Sequence, residues 1–505
     1  MALFVVVWIW LALALSADIK RPWVNGVDYN GAVWSQAAHN ILRAGLAETA
    51  GASTGFYFGP LPIPEWGYYL HHPPLLHLMI ASLFALLGEH EWVARLVPIG
   101  CSLASVLFLW LLVRSAVGVR AATLSAAIFA SLPMELRYGQ MVNFEPCVLM
   151  LILGALLCLR YRQVSGRASW QWAALGFILV GLWVDWAMYL FVVALCAFWL
   201  PRARPDERRF VLAAVAGATL SGTLYLLRIH SLRPEAWHNL IDTFLVRLGS
   251  GKGGYFTEAQ WITRVGKSLV THFLPMGWIL AAIGAAILFR GRVDGLRWLG
   301  RACGSVFLMD ALFVAIFQND SYIHHYISFY FIAPIAVAAG IALDRLVSRW
   351  RAMVMPRRFR GTGELAVILL VIGIGMSGWS RANALNGRFQ ILDYTTAEPV
   401  TLIPELGKAI RATFPSGTHV LCNFLPDFGP HLAYYAQRDI RNNLSEYRFW
   451  RTYLDDPSAR VGGVVWVTSS AASQNIMAKL PAGTKRLVTI ENLQFCLWKR
   501  DSPVK

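Results

Sequence analysis

Two acidic residues that could take part in a reaction stand where apolar or amphipathic segments of the chain begin. Asp28 precedes an amphipathic helix that is predicted to start near Gly31, and Glu145 precedes Pro146 at the start of an apolar run. A carboxylate in such a place can act as a general base, or it can cap the helix by accepting free backbone N–H groups. Asp185, in the segment GLWVDWAMY, is a third candidate acid. The residue types alone leave catalysis and capping open.

Basic and imidazole side chains that could bind a phosphate lie in four further segments. They are His71 and His72 before two prolines, Arg137 ahead of Glu145, Lys252 in the Gly-rich segment RLGSGKGGYFT, and His324, His325 and Tyr326 before an apolar run. Such groups can hold a phosphate near a helix N-terminus, and they also serve as polar and aromatic anchors at a membrane interface. The segment around Lys252 lacks the spacing of a P-loop and could equally be a linker. No spacing of His and Cys indicates zinc.

The composition indicates the environment that these side chains share. Of the 505 residues, 56% are hydrophobic and 15% are charged, whereas soluble domains carry roughly 25% charged residues. This excludes an ordinary soluble enzyme, and it also excludes disordered and collagen-like chains. The net charge of +16 comes with arginines that punctuate apolar runs. We therefore interpret the charge as membrane topology and expect no nucleic-acid partner.

Apolar runs long enough to cross a membrane predict a polytopic α-helical membrane protein with about eleven transmembrane helices. The first run could be a secretory signal, but no Lys or Arg precedes it, so an uncleaved helix is the preferred interpretation. Every second turn is short and Arg-rich, which places those turns on the inner side of the membrane. The runs lie near residues 2–18, 94–113, 121–134, 146–160, 170–184, 186–200, 210–227, 271–289, 298–317, 327–343 and 364–379.

The topology predicts two parts. Residues 1–380 form a transmembrane module with a long outer loop over residues 19–93. Residues 381–505 have a soluble composition with helix-like and strand-like stretches, and they are expected to form a small α/β domain on the outer face. Cys422 and Cys496 lie in that part, where an oxidising compartment would permit a disulfide between them.

The stretch HHPPLLHLMIASLFALLGEHEWVARLVPIG resembles the polyprenyl-phosphate-sugar-dependent glycosyltransferases of the C superfamily (GT-C). Protein O-mannosyltransferases, aminoarabinose transferases of lipid A and the bacterial RgtA/B/C/D-like group share its pattern. That pattern is a first helix, a long outer loop with an acid near its start, an x-x-P-P-L surface helix and then G-x-x-E-W-V-A-R-L-x-P. The resemblance covers residues 18–345 approximately. It implies the GT-C fold, with residues 74–88 as a helix at the membrane surface.

The resemblance also implies roles for individual positions. Asp28 matches the first-loop acid, which in the family lies beside the reacting hydroxyl, and Glu145 matches an acid in the second outer turn. His71 and His72 stand where some relatives have Glu-Lys or another polar pair, whose lysine holds the donor phosphate. The paired Asp-Glu of the protein mannosyltransferases is absent because Tyr29 follows Asp28, and this disfavours a protein acceptor.

The implied activity is hexosyl or pentosyl transfer from a polyprenyl-phosphate sugar to a hydroxyl of an envelope glycan, lipid or protein. It would take place on the outer, periplasmic side of a bacterial inner membrane. Asp28 would deprotonate the acceptor, which then attacks C1 from the opposite face with inversion. Glu145 would orient the acceptor or a divalent cation, Mg²⁺ or Mn²⁺. The charge on the leaving phosphate needs a cation nearby, and the candidates are Arg137, His72, Lys252 and Arg247.

Two other classes of function stay open on the sequence. A polytopic transporter or flippase for lipids or solutes would have charges and broken helices along a path through the membrane, but the chain shows no inverted repeat and few ionisable residues within its apolar runs. A non-catalytic subunit of an envelope assembly complex would use its outer domain to bind a partner. Neither function requires Asp28 to react.

Overall fold

The computed structural model of the protein describes most of the chain. The described residues are 1–24, 28–202, 204–232, 236–249, 256–352, 362–385, 401–422, 429–441, 454, 460–468, 480 and 482–501. Lys252, one of the predicted phosphate-binding residues, lies outside them.

Helices make up the part of the chain before residue 386. The first ten are α1 (Ala2–Ser16), α2 (Tyr29–Thr49), α3 (Leu75–Leu87), α4 (Glu91–Val117), α5 (Val119–Phe129), α6 (Pro133–Tyr138), α7 (Phe144–Ser165), α8 (Ser169–Leu182), α9 (Ala187–Trp199) and α10 (Pro205–Leu232). They are followed by α11 (Ala236–Arg247), α12 (Glu258–Phe273), α13 (Pro275–Arg290), α14 (Asp294–Ile316), α15 (Gln318–Ile323), α16 (Ile332–Ala352) and α17 (Thr362–Leu385). Short 3₁₀ helices occur at Glu65–Gly67, Leu200–Arg202 and His325–Phe331.

Each of the eleven apolar runs overlaps a helix, so the prediction of a polytopic helical protein is confirmed. Within the described residues, six helical segments are long and apolar enough to cross a membrane, and α12 with α13 forms a seventh candidate that is bent by 87°. The number eleven is not confirmed, because α1, α5, α8 and α9 have only 11–15 residues. At 1.5 Å per residue these helices are shorter than the roughly 30 Å of a bilayer core.

The helices pack around α16, which is buried along most of its length. α16 lies against α5 and α13, and α4 lies against α7. The contact between α13 and α16 depends on Gly284, since a Cβ there would lie 1.8 Å from the carbonyl oxygen of Ala338. The N-terminal ends of α2, α7 and α9 and the segment before α16 meet on one side of this core and surround the polar cavity described below.

The C-terminal part contains a five-stranded mixed sheet, which agrees with the predicted small α/β domain. Its elements are α18 (Leu402–Thr413), β1 (His419–Cys422), α19 (Gly429–Ala436), β2 (Asp439–Arg441), β3 (Val461–Val467), β4 (Gly483–Ile490) and β5 (Leu493–Arg500). The strand order is β2-β1-β3-β5-β4, with β1 parallel to β2 and β3, and β5 antiparallel to β3 and β4. Apolar side chains of α18 and α19 cover one face of the sheet.

The predicted disulfide between Cys422 and Cys496 is wrong. Cys422 on β1 is paired with Val465 of β3, and Cys496 on β5 is paired with the next residue, Trp466. Neighbouring residues of a strand point to opposite faces of a sheet, and β3 separates the two cysteines, so their backbones are about 10 Å apart. The two thiols accordingly belong to different core clusters and are not bonded to each other.

The sheet domain contacts the helical part through α19 and the residue that follows it. The Tyr435 hydroxyl donates to Glu91 Oε1 at 2.6 Å and accepts from the backbone N–H of Trp23 at 2.9 Å. Gln437 Nε2 donates to Gln36 Oε1 at 3.0 Å. These bonds join the sheet domain to α2, to α4 and to the segment between α1 and α2.

Candidate functional site

Two adjoining cavities lie at one end of the helical part, and they differ in character. A polar cavity of about 250 Å³ is lined by Tyr29, Asn30, Val33, Trp34, Phe56, Tyr69, His72, Asn143, Phe144, Glu145, Asp185, Arg247, Phe313, Asp320, His324, Tyr326 and Ile327. A larger groove of about 570 Å³ has a mostly apolar wall from α9, α10, α11 and α14. The two cavities share the residues His72, Asp185, Arg247, Phe313 and Asp320. An apolar groove therefore opens directly onto a polar cavity.

Glu145 stands in the first turn of α7 and is 4% exposed. Its Oε1 accepts a hydrogen bond from Asn143 Nδ2 at 3.2 Å, and Asn143 Oδ1 accepts from Trp34 Nε1 at 3.2 Å. Glu145 Oε2 has no hydrogen-bond partner among the described residues. The carboxylate is thus held through one oxygen, while the other can accept a proton or a hydrogen bond from a molecule in the cavity.

His72 lies on the shared wall between two charged side chains. Its Nδ1 is 2.9 Å from Asp185 Oδ1, and its Nε2 is 3.2 Å from Arg247 Nη2. Burial, reinforced by the charge of Arg247, lowers the pKa of His72 although the hydrogen bond to Asp185 opposes the shift. The neutral imidazole then donates from Nδ1–H to Asp185 and accepts from Arg247 at Nε2. His72 orients its neighbours and adds no positive charge.

Arg247, the last residue of α11, is the guanidinium of the shared wall. Its Nε is 3.4 Å from Asp320 Oδ2, and its Nη2 donates to the Tyr69 hydroxyl at 3.4 Å. Burial alone would lower the pKa of Arg247, but Asp320 and the other acidic groups around it raise the pKa above its ordinary value. The charge at this position is therefore permanent.

Two prolines follow His72 and determine how the turn that carries its imidazole is held in place. Pro73 and Pro74 have no N–H, so the turn is secured through its carbonyl groups and through the next residue. The Tyr225 hydroxyl donates to the carbonyl of His72 at 2.6 Å, and Trp186 Nε1 donates to that of His71 at 2.7 Å. The sequence pattern H-H-P-P thus becomes a rigid turn against α9 and α10.

Tyr326 and His324 reach the cavity from the segment that precedes α16. Asn30 Nδ2 donates to the Tyr326 hydroxyl at 3.3 Å, and the His324 ring stacks on that of Tyr326 at 4.9 Å. Asp310 of α14 accepts from the backbone N–H of Phe331 at 2.6 Å. This buried bond fixes the 3₁₀ turn that carries Tyr326.

Asp28, predicted to be the base, is not among the residues that line the polar cavity. Its carboxylate is 4% exposed and lies 3.0 Å from Arg95 Nη2 and 3.5 Å from Arg21 Nε. Burial would raise the pKa of Asp28, but the two arginines outweigh burial and hold the pKa below its ordinary value. The following residues, Tyr29 and Asn30, do line the cavity. Asp28 therefore stands behind the cavity wall in a buried ion pair.

The remaining predicted site residues are dispersed. His71 lines the apolar groove, where its Nε2 is 3.4 Å from the Thr243 hydroxyl. Arg137 and His325 are not among the residues that line either cavity. The guanidinium of Arg137 lies 5.3 Å from the Tyr138 ring, and the His325 ring lies 5.3 Å from that of His272.

A divalent cation would need several oxygen or nitrogen ligands close together. In the parts of the chain that the structure describes, no group of three or more His, Cys, Asp or Glu side chains is arranged to hold one. The described acids of the cavity are instead engaged with Asn143, His72 and Arg247. The divalent cation stays a prediction.

The cavity residues that the sequence analysis missed include Asn30, Trp34 and Asn143, whose side chains form hydrogen bonds there. Asn143 carries a signal that could have been used, because an asparagine directly before a helix is a common N-cap. Here its side chain bonds to Trp34 and Glu145. Asn30 and Trp34 lie one turn apart on α2 and show no pattern that separates them from packing residues.

Comparisons with known proteins bear on this arrangement. A family model described as dolichyl-phosphate-mannose-protein mannosyltransferase matches residues 71–227. No protein with a curated description matches the sequence. Among solved structures, ArnT from Cupriavidus metallidurans bound to undecaprenyl phosphate superposes with a TM-score of 0.64 at 13% identity, over 99% of this chain and 98% of that one.

Two further solved structures resemble the chain. The oligosaccharyltransferase AglB from Archaeoglobus fulgidus, in complex with an inhibitory peptide and a dolichol-phosphate, has a TM-score of 0.57 at 14% identity, over 94% of this chain and 70% of that one. Arabinofuranosyltransferase AftD from Mycobacteria has a TM-score of 0.54 at 14% identity, over 99% of this chain and 40% of that one. At these identities the likeness establishes a common fold.

Proposed function

Since the chain is a multi-pass membrane protein with the fold of the C-superfamily glycosyltransferases, we propose that it transfers a sugar from a polyprenyl-phosphate donor to an acceptor hydroxyl, with inversion at C1. The reaction takes place at the outer face of a bacterial inner membrane, and the acceptor is an envelope glycan, lipid or protein. The Arg-rich inner turns support this orientation, because positive residues favour the cytoplasmic side.

The single observation that carries the proposal is the junction of the apolar groove with the polar cavity. A polyprenyl phosphate has a long apolar chain, a phosphate and a sugar in that order. The groove suits the chain, the wall with Arg247 suits the phosphate, and the polar cavity with Glu145 suits the sugar. Transporters also have apolar grooves. Glu145 of the adjoining polar cavity, whose Oε2 has no partner among the described residues, favours a catalytic function.

Arg247 is proposed to stabilise the phosphate as the bond between C1 and the phosphate oxygen breaks. Negative charge on that oxygen grows in the transition state, and a preorganised cation in a site with little water stabilises it strongly. Asp320 and His72 hold the guanidinium in position. Asp185 positions His72 in turn, and its own Oδ2 accepts from the backbone N–H of Ala187 at 3.3 Å.

Glu145, rather than Asp28, is proposed as the general base. A base must reach the proton that it removes. Glu145 lines the polar cavity, and its Oε2 has no hydrogen-bond partner among the described residues. The carboxylate of Asp28 is neutralised by two arginines, which makes it a weak base. The acceptor oxygen, deprotonated by Glu145, forms a bond to C1 from the side opposite the phosphate, and the lipid phosphate leaves. No step is assigned to a divalent cation.

The test is mass spectrometry of envelope glycolipids and glycans from a deletion strain that carries the native gene, Glu145→Gln or Glu135→Gln. Glu135 is the matched control: it is buried in α6, does not line the cavity, and its burial raises its pKa to about 8, so an amide should replace it well. We expect one sugar to disappear on deletion and to return with the native gene and Glu135→Gln only. Restoration by Glu145→Gln would refute the role of that residue, and an unchanged envelope on deletion would favour a transporter or an assembly subunit.

A further inference from the structure

The charged side chains of the polar cavity are unequally divided between acids and bases. Among the described lining residues, Glu145, Asp185 and Asp320 are acidic and Arg247 is basic. Three carboxylates against one guanidinium leave a net charge of −2, and −1 remains if Glu145 is protonated. The wall is therefore acidic before any donor binds.

Arg247 cannot bind a second anion in addition to a phosphate. Its Nε is already beside Asp320, and its Nη2 contacts His72 and Tyr69. A donor phosphate at this wall would add a further negative charge next to the guanidinium. An anionic group on the sugar would then meet carboxylates without a second arginine or a lysine among the described lining residues.

Of the two imidazoles that line the cavity, His72 adds no charge to this balance. His72 donates to Asp185 and accepts from Arg247, and burial lowers its pKa, so it stays neutral. His324 stacks on Tyr326 at the side of the cavity that lies away from the groove.

The one buried side-chain atom without a partner among the described lining residues is an acceptor, which calls for a donor on the ligand. Glu145 Oε2 lacks a partner among the described residues, and Asp320 engages Arg247 through one oxygen at a long 3.4 Å. Sugar hydroxyls and ammonium groups are donors, whereas a carboxylate or phosphate group has none to give. Around these acceptors, aromatic side chains provide flat apolar faces on which a sugar ring can stack, and they are Tyr29, Trp34, Phe56, Tyr69, Phe144 and Tyr326.

We infer that the transferred sugar carries no negative charge: neutral sugars and amino sugars enter the polar cavity, and uronates and phosphorylated sugars are rejected by its excess of carboxylates. This inference rests on the proposed function, since it specifies the sugar of the same donor. Rejection of this kind is specificity by like-charge repulsion, which discriminates between sugars of equal size.

The experiment measures binding to the full-length protein in lipid nanodiscs by quenching of tryptophan fluorescence. The probes are bare polyprenyl phosphate and three polyprenyl-phosphate sugars that share one ring: glucose, glucosamine and glucuronate. We expect the first three to bind and the glucuronate donor to bind at least about tenfold more weakly than the glucose donor, because like charges face each other in a site of low dielectric.

A variant tests whether the carboxylates cause the difference. Asp320→Asn removes one negative charge and releases Arg247, so the glucuronate donor should gain affinity relative to the glucose donor. Asp294→Asn is the matched control, since Asp294 is exposed at the start of α14 and pairs with Arg297 away from both cavities. This control should leave the ratio of the two affinities unchanged.

The outcomes separate this inference from the proposed function. If bare polyprenyl phosphate and all three donors fail to bind, the proposed function is overturned and the inference with it. If bare polyprenyl phosphate binds but the glucuronate donor binds as tightly as the glucose donor, the inference is overturned and the proposed function stands. A tenfold preference that Asp294→Asn abolishes as fully as Asp320→Asn would also overturn it, because the cavity would not be its source.

Discussion

Asp28 and Glu145 occupy similar places in the sequence, at the starts of α2 and α7, but different places in the molecule. Asp28 lies between Arg95 and Arg21, beside the sheet domain, and its two oxygens are engaged by guanidinium groups. Glu145 is equally buried but has a neutral amide as its neighbour and one oxygen without a partner among the described residues. The difference teaches that burial does not identify a base; the partners of the carboxylate do.

The region around Asp28 connects the segment after α1 with α4 and with the sheet domain. Arg95 donates to the backbone carbonyls of Ile19, at 2.8 Å, and Arg21, and its guanidinium lies 4.2 Å from the ring of Trp23. The backbone N–H of Trp23 in turn donates to Tyr435 of the sheet domain. One arginine therefore holds the start of the first outer loop, while Asp28 compensates its buried charge.

The largest expected effect concerns catalysis. In an assay of sugar transfer with purified protein, Glu145→Gln should lower kcat by roughly 10²- to 10⁴-fold, because this is the usual contribution of a general base. Its melting temperature should stay near that of the native protein. Asp28→Asn should keep kcat within a few-fold per folded molecule. A kcat lost equally in both variants would remove the distinction between the two carboxylates.

The second largest effect concerns stability, and here the substitution of Asp28 matters more than that of Glu145. Asp28→Asn should destabilise the protein by about 3–5 kcal/mol, since it leaves the buried charge of Arg95 without its partner. Chemical denaturation in detergent micelles measures this loss. The double variant Asp28→Asn with Arg95→Met should recover part of the stability, because it removes both charges. If the double variant loses more stability than the two single variants lose together, the ion pair is not what stabilises this region.

A smaller effect is expected for Arg247, the guanidinium of the cavity, and it concerns the binding of the donor. Arg247→Gln should raise the KM for the donor by roughly 10- to 100-fold, which corresponds to the loss of a charged hydrogen bond. It should also lower kcat, because the charge on the leaving phosphate grows in the transition state. Arg247→Lys should restore part of the affinity, because the charge returns without the fork of donors. Arg297→Gln, on the exposed side chain that pairs with Asp294, is the control. An unchanged KM in Arg247→Gln would place the phosphate elsewhere.

The smallest effect is a pH dependence of stability. The pKa of Asp28 is lower in the folded protein than in the unfolded chain. Its contribution to stability is therefore present above the unfolded value of about 3.9 and is lost as the pH falls through the folded value. Below about pH 4, the native protein should lose stability more steeply than Asp28→Asn in denaturation curves recorded at several pH values. Parallel losses would show that Asp28 is not a source of the acid sensitivity.

Much of the fold could be predicted from local patterns. A helix satisfies its own backbone hydrogen bonds, so each apolar run could be located without knowledge of its neighbours. The number of spans could not, since α5, α8 and α9 are too short to cross a bilayer by length alone. Similarly, strand-like runs predicted an α/β domain, but the placement of Cys422 and Cys496 on opposite faces depends on the register of three strands.

The candidate site was predicted in part. His72, Glu145, His324 and Tyr326 lie together around the polar cavity, whereas Arg137 and His325 do not line it. All six are polar or aromatic residues near the ends of apolar runs, and nothing local separates the two groups. What separates them is the direction in which each side chain points once the helices are packed, since even His325 and its neighbours His324 and Tyr326 differ in this respect.

The sequence by itself determined that this is a polytopic helical protein with a small α/β domain, and it indicated the outer segments where chemistry could take place. Composition and periodicity are local properties, so they suffice for that. Only the tertiary structure decided which carboxylate is neutralised and which remains available. Arg95 stands 67 positions from Asp28 along the chain and Asp185 stands 113 from His72, and an electrostatic environment is set by distances in space that the order of residues does not contain.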